Sequence, residues 1–494
     1  MISTAQLTGA VPQAGGDYLI VPFTVPAGTV EFTLTHDDGS DFQILDWGVW
    51  SPEGFRGWGG GLTDPAVIGV VASSRGYVPG PITPGTWSLV IGKAKLGPDP
   101  GQYTVGLEFR DAATITPVPA QPWTAVVLST ERRWYAGDFH VHSSDSGDAS
   151  APLPQIVDYA RSRGLDFVVV TDHNTSAQYE HQAAVQVGVE DLLLVRGAEV
   201  TTYQGHGNAI GIGRYVDHRV GLDGVGAPSI VADVVGQGGA FIVNHPELRL
   251  GELCIGCGWD HPDTPWAMVS GIEIQTGNAD LTAGIFTPRA IALWDGLLDD
   301  GHALAAIGGS DDHRGGAETG TAPALIGGPT TMVLADELSE AALVAAVKAG
   351  RTVVKIPGPD APMVELLAID PDDATHRAEL GATLADVAAV TLEARAADAD
   401  GDTVELWRDG ALIDSAPIAG GVARFERAVS GSRERYRVHL VGATGLLTVT
   451  SHVYVEGTPA AAADGCCDSG GGSPAGALAL GLVALGVARR RRRG

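Results

Sequence analysis

From about residue 130 to residue 356, short apolar runs alternate with segments of helical spacing. "LDFVVVTDH", "DLLLVRGAEVTT", "GHGNAIGI", "AFIVNHP", "GIEIQTG" and "ALAAIGGSDDH" are strand patterns. "PQIVDYARSRG", "PSIVADVVGQGG", "PRAIALWDGLLDDG" and "SEAALVAAVKAG" read as helices that stop at glycine. Strand–helix alternation predicts a parallel α/β arrangement, open or closed into a barrel. In such a fold the strand C-termini converge on one face, so residues far apart in the chain reach one cleft.

The flanks read differently. Residues 1–112 hold short alternating runs such as "DYLIVPFTV", "VEFTLTHD", "GTWSLVIGK" and "GQYTVGLEF", separated by Gly, Pro and Asp turns. This predicts a β-sandwich or jelly roll. Trp47, Trp50 and Trp58 in its middle read first as packing, with stacking on a sugar or substrate as the other reading. A Pro-containing linker spans 113–133, and the α/β segment is set at 134–358. Residues 359–457 return to β runs and predict an Ig-like β-sandwich, in which "DADGD" reads as a turn because it lacks the full calcium-loop pattern. A Gly/Ser-rich linker follows at 458–474, then an apolar segment and an arginine run within 475–494.

With 494 residues the chain is too long for one core, and a net charge of −28 argues against nucleic acid or an anionic membrane as a partner of the folded part. Of the four cysteines, Cys254 and Cys257 in "CIGC" read as a small loop disulfide or free thiols rather than half a zinc site, since no second pair lies nearby. The apolar stretch 475–488 reaches about 21 Å as a helix, short of the ~30 Å hydrocarbon core. It is a marginal anchor, and the only membrane contact expected. The tail resembles the C-terminal sorting signals of myxobacterial surface proteins. That resemblance implies export, cleavage near Cys466 and Cys467, and attachment at the cell surface or outer membrane. The N-terminus shows no signal pattern, so export calls for a start further upstream.

Six of fourteen histidines sit in or at the ends of the strand runs: His140, His142, His173, His206, His245 and His313. Asp148, Asp172, Glu199 and Asp311 hold similar places. Residues two apart on a strand point the same way, so His140 with His142, and Asp311 with His313, can each serve one metal ion. His181, His218, His261 and His302 follow no buried run and are expected at the surface.

Taken in order, "DFHVHSSDSGD", "TDHN", "GAE", "GHGNAIGI", "NHP" and "GSDDH" resemble the motifs of the PHP (polymerase and histidinol phosphatase) metallohydrolases over about residues 134–356. The resemblance implies a distorted seven-stranded (β/α) barrel with two or three divalent metal ions. Carried across by motif, the ligands are His140, His142, Asp148, His173, Glu199, His206, His245, Asp311 and His313, with Glu199 bridging two ions. The family's first motif usually sets its aspartate five residues after the second histidine. Here Asp148 is six after His142 and Asp145 is three after it; Asp148 is chosen, through a one-residue bulge. Asp172 and Asp312 then read as acceptors that orient neighbouring histidines.

An N/O ligand set without cysteine suits Zn, Mn or Fe. The implied reaction is hydrolysis of a small phosphoester, with water between two metals as nucleophile and Glu199 and Asp148 beside it. Arg314 is placed either to meet an anionic substrate group or to form a surface ion pair, and Asn174 and Asn244 are candidate donors to substrate. The N-terminal domain, with "GWGGG" and "GYVPGPITPGTW", more loosely resembles large members that include a carbaryl hydrolase. That adds carboxylic and carbamate esters as the alternative substrates. A third reading is a surface glycan-binding protein with a relic barrel.

Overall fold

The computed structural model describes residues 1–39, 42–317 and 323–457. The expectations for the tail, including Cys466, Cys467 and the arginine run, lie outside these residues. No helix among the described residues is long and apolar enough to cross a membrane.

The N-terminal part is two four-stranded antiparallel sheets. One joins Ser3–Val11, Gly101–Arg110, Glu31–Asp37 and Ala66–Gly69; the other joins Tyr18–Val25, Gly85–Lys95, Ile44–Ser51 and Gly54–Gly60. Alternate residues of both sheets fill one core, in which Phe32 meets Trp87 edge-on at 5.3 Å. Ser3–Val11 carried no strand signal in the sequence because it is an edge strand exposed at most positions.

Seven strands carry the centre: β1 (Arg133–Val141), β2 (Phe167–Val170), β3 (Leu193–Thr202), β4 (Gly205–Ile210), β5 (Ala240–Val243), β6 (Gly271–Thr276) and β7 (Ala305–Gly309). They lie side by side in chain order within a larger, mixed sheet. The all-parallel expectation fails in the middle. β1–β2–β3 and β5–β6–β7 pair parallel, but β4 is antiparallel to both its neighbours. Only Tyr203 and Gln204 separate β3 from β4, too few for a crossover, so the pair forms a hairpin. The chain leaving β7 returns to β1: Asp311 N donates to His140 O at 2.8 Å, and His142 N to Asp312 O at 2.9 Å.

Helix α1 (Leu153–Ser162) buries Leu153, Ile156, Val157 and Ala160 at helical spacing and ends at Gly164 in the left-handed region, as its sequence predicts. Helix α2 (Gln178–Gln186) carried no apolar period, because its buried face is polar. Gln178, Gln182 and Gln186 donate to the carbonyls of Gly197, Val195 and Leu192, and Gln186 accepts from Leu194 N at 2.7 Å.

β1 also pairs with Thr330–Ala335, which leads through Thr352–Lys355 into Gly445–Thr450. The large sheet therefore runs on into the C-terminal strands without a break. There it shares a core with a four-stranded sheet built on Val364–Ile369 and Ala389–Ala396.

Candidate metal centre

β1 carries His140 and leads directly into His142, both fully buried. β3 delivers Glu199, and its hairpin partner β4 delivers His206. The ends of β2, β5 and β7 lead into His173, His245 and the pair Asp311 and His313. Three of the residues at these ends sit at positive φ: Asn174 at 50°, His245 at 27° and Asp311 at 56°. Non-glycine residues held there store strain that the surrounding structure must impose, as is common at functional sites.

All nine sequence-predicted ligands fall into three overlapping groups, each with ligand atoms within 4.8 Å of one another. The first is His140, His142, Glu199 and Asp311. His142 Nε2 lies 3.1 Å from Asp311 Oδ1, and His140 Nε2 lies 3.3 Å from Glu199 Oε2. The second is Glu199, His206 and His245, whose ring nitrogens stand 3.4 and 3.3 Å from Glu199 Oε1. Glu199 thus turns one oxygen to each group, the geometry of a bridging carboxylate. The third is His142, Asp148, His173 and His313, with Asp148 Oδ2 at 3.2 Å from His173 Nε2 and 3.3 Å from His313 Nε2. Between Asp145 and Asp148, the fold brings Asp148 to the cluster. Asp145 turns away to His181 Nδ1 at 2.9 Å.

These spacings fit metal ions. Donors 2.0–2.1 Å from a shared tetrahedral centre lie about 3.4 Å apart. His140 Nε2, His142 Nδ1 and Glu199 Oε2 are buried without a hydrogen-bond partner among the described residues. Buried polar atoms are rarely left so, and a cation would satisfy them.

The remaining ring nitrogens are held from behind. His140 Nδ1 meets Glu273 Oε1 at 2.9 Å. His245 Nδ1, His313 Nδ1 and His206 Nε2 meet the carbonyls of Cys257, Asp311 and Ile255 at 3.0, 2.9 and 3.2 Å. A carbonyl only accepts, so these nitrogens carry the proton and the opposite ones offer lone pairs. Glu273, fully buried in "GIEIQTG", is the residue that sequence reasoning missed; a glutamate inside an otherwise apolar strand was its signal.

Charge is concentrated here. Burial opposes ionisation of Glu199, but His140 and His173 hold its pKa well below the carboxylate range. Burial likewise opposes charge on His140, yet Glu199, Asp311 and Glu273 hold its pKa well above the imidazole range. His313 is pushed up to about 9 by Asp148 and Asp311 against its burial. His142 goes down to about 3, through burial and the charges of His313 and His173.

Several expectations are corrected, and those for the cysteine pair and for tryptophan packing are met. Asp172 and Asp312 orient backbone, not histidines: Asp172 accepts from Ser143 N and Oγ at 2.6 and 2.7 Å, and Asp312 from Arg314 N and Gly316 N at 3.0 and 3.2 Å. They hold the two motif loops in shape. Asn244 donates to Glu199 Oε1 at 2.8 Å and Asn174 to Thr201 O at 2.9 Å, so each amide spends one N–H inside the protein. Arg314 is exposed and does not line the cavity in front of the cluster. His218 and His261 are buried rather than superficial, packed against Trp58 and Trp259. His181 is half-buried. Cys254 and Cys257 form a disulfide, with Cα atoms 5.5 Å apart. Trp47 and Trp58 are buried, which removes them as open stacking platforms.

The N-terminal sheets form one wall of the cavity. A Cβ on Gly147, beside Asp148, would stand 2.6 Å from Gly59 O, so the missing side chain of Gly147 is what lets the first motif's loop approach this wall.

No family model matches the chain, and no curated protein matches it. Among solved structures, a two-domain Bacteroides vulgatus protein described as containing a PHP-like metal-dependent phosphoesterase is 17% identical, with 69% of this chain and 100% of that one covered and a TM-score of 0.36. A Bifidobacterium adolescentis protein described as a metal-dependent phosphoesterase is 17% identical, with 38% and 91% covered and a TM-score of 0.26. Superposition this loose decides neither the fold nor the activity of the chain.

Proposed function

We propose that the chain is a metal-dependent hydrolase of the PHP type that cleaves a small phosphoester. The observation that carries this reading is the bridging placement of Glu199, with one oxygen in each of two histidine-rich groups and a third group alongside. Two or three divalent ions, Zn, Mn or Fe, would be held by His140, His142, Asp148, His173, Glu199, His206, His245, Asp311 and His313. Bound there, such ions supply an activated water and neutralise charge developing on the ester oxygens.

The chain's own residues do the rest. Glu273 and the carbonyls of Ile255, Cys257 and Asp311 fix the rings, so that no reorientation is needed during reaction. Asp148 and His313 line the cavity, so the ion they would help to hold faces the substrate.

A carboxylic or carbamate ester is the second reading. It is favoured by a cavity lined by neither lysine nor arginine among the described residues. The seven-stranded run, tied at Asp311 and His142, supports a distorted barrel, and the paired sheets on either side support two flanking β-sandwiches. The Cys254–Cys257 disulfide supports an exported protein, since disulfides persist in oxidising compartments.

Elemental analysis, together with turnover of p-nitrophenyl phosphate, bis-p-nitrophenyl phosphate and a naphthyl carbamate in Mn or Zn, tests the reading. Two to three ions per chain and loss of turnover in His140→Ala are expected. Less than one ion per chain, with His140→Ala unchanged, overturns it.

A further inference from the structure

The cavity in front of the metal groups has a volume of about 790 Å³, large enough for a substrate well beyond its reacting ester. Its two outer walls come from different parts of the chain. Ile44, Trp58 and Leu62 stand on the N-terminal side, and Leu248, Leu250 and Leu253 on the loop that carries the disulfide. The mouth keeps apolar side chains in water: Leu253 is 89% exposed, Leu250 47% and Ile44 39%. Apolar groups facing each other across an opening are a mark of a binding surface.

The polar groups in these walls are already engaged. Asp46 accepts from Tyr203 Oη at 2.6 Å, and Glu252 pairs with Lys95 at 2.9 Å. Tyr18 stacks on Tyr203 at 5.8 Å, and Trp58 meets the ring of His218 at 4.4 Å, so these faces are covered and form no open cage for a cation. Among the described residues no lysine or arginine lines the cavity. A second anionic group on the substrate would lose its water and meet Asp46, and Lys95 on the strand beside it is already paired with Glu252.

We propose that the substrate is an ester whose leaving group is apolar and uncharged, an aryl or branched alkyl group seated between the N-terminal sheet and the 248–257 loop. This deepens the hydrolase reading and rests on it. It assigns the N-terminal sheets a part in specificity, and it rejects substrates with a distal phosphate or carboxylate.

The test uses the metal-loaded full chain and two matched series, 2-naphthyl and 6-carboxy-2-naphthyl esters, each as phosphate and as acetate. In whichever series turns over, the uncharged ester should lead by about tenfold or more in kcat/KM, as expected when a buried site cannot pair a charge. Leu62→Arg should narrow that gap at least threefold. Leu253→Ser, at an exposed position, should lower kcat/KM for the naphthyl ester more than it lowers kcat/KM for methyl phosphate. Tryptophan fluorescence titration with 2-naphthol and 6-hydroxy-2-naphthoate reads the cavity without turnover, and 2-naphthol should bind about tenfold tighter. Equal binding of the two, or equal turnover of the paired esters, overturns the proposal. Naphthol preference with no turnover in either series upholds the apolar, uncharged seat but overturns the hydrolase reading, and with it the ester.

Discussion

At the scale of single residues, the centre depends on side chains that never touch a metal. Glu273 accepts from His140 Nδ1 and also from His245 N at 2.8 Å, so one buried carboxylate orients two motifs. Glu273→Ala should weaken metal binding about 10- to 100-fold while the protein stays folded. Chelator competition measures this, and unchanged affinity would show that the rings are held by packing alone. Proton competition belongs to the same scale. Against burial, surrounding carboxylates hold the pKa values of His140 and His173 well above the imidazole range and push that of His313 up to about 9, so these three rings hold protons at neutral pH that a metal ion must displace. Apparent affinity should therefore rise with pH from neutral up to at least about pH 9. Below that it should fall by roughly tenfold per unit for each proton displaced. A flat chelator titration between pH 6 and 9 would contradict these charge states.

Single elements show where pattern reading works and where it stops. Helix α1 was legible because its core face is apolar at helical spacing. Helix α2 was not, because glutamine amides replace apolar side chains on its buried face. Gln186→Ala would leave Leu194 N and the carbonyls of Val189 and Leu192 without their partner. A loss of about 2 to 4 kcal/mol is expected from the urea midpoint. Gln186→Leu should recover little of it, whereas an ordinary packing role would recover most. The "CIGC" loop acts as an element too. Through the carbonyls of Ile255 and Cys257 it holds two ligand rings. Cys254→Ser/Cys257→Ser should lower occupancy of the group containing His206 and His245, while the other two groups stay loaded. Metal counting against the unmodified chain decides it.

Across the whole molecule, a buried ion pair joins the central and C-terminal parts. Arg437 is fully buried between Trp294 and Trp407, and its guanidinium binds both oxygens of Asp295, one at 2.9 Å. Arg437→Met leaves the half-buried Asp295 carboxylate without its partner and should cost about 3 kcal/mol, and adding Asp295→Leu should restore much of it. Thermal unfolding of the single and double variants separates a stranded charge from a lost contact.

The motifs themselves were readable along the chain. His140 and His142, Asp311 and His313, and the strand runs beneath them follow from local alternation and spacing, which act between residues a few positions apart. What local spacing could not reach is pairing across long separations. Asp148 rather than Asp145 meets His173 and His313 because the folded loop after β1 is pinned by Asp172 and pressed against Gly59. β4 turns back because its hairpin leaves no room for a crossover. The N-terminal wall of the cavity exists because sheets upstream of the central strands pack over the strand ends. Residue type and period therefore determined which groups can bind metal and roughly where strands and helices form. Tertiary packing alone decided which oxygen faces which ring, and which surface a substrate meets, because those distances are set by contacts between segments that no local preference couples.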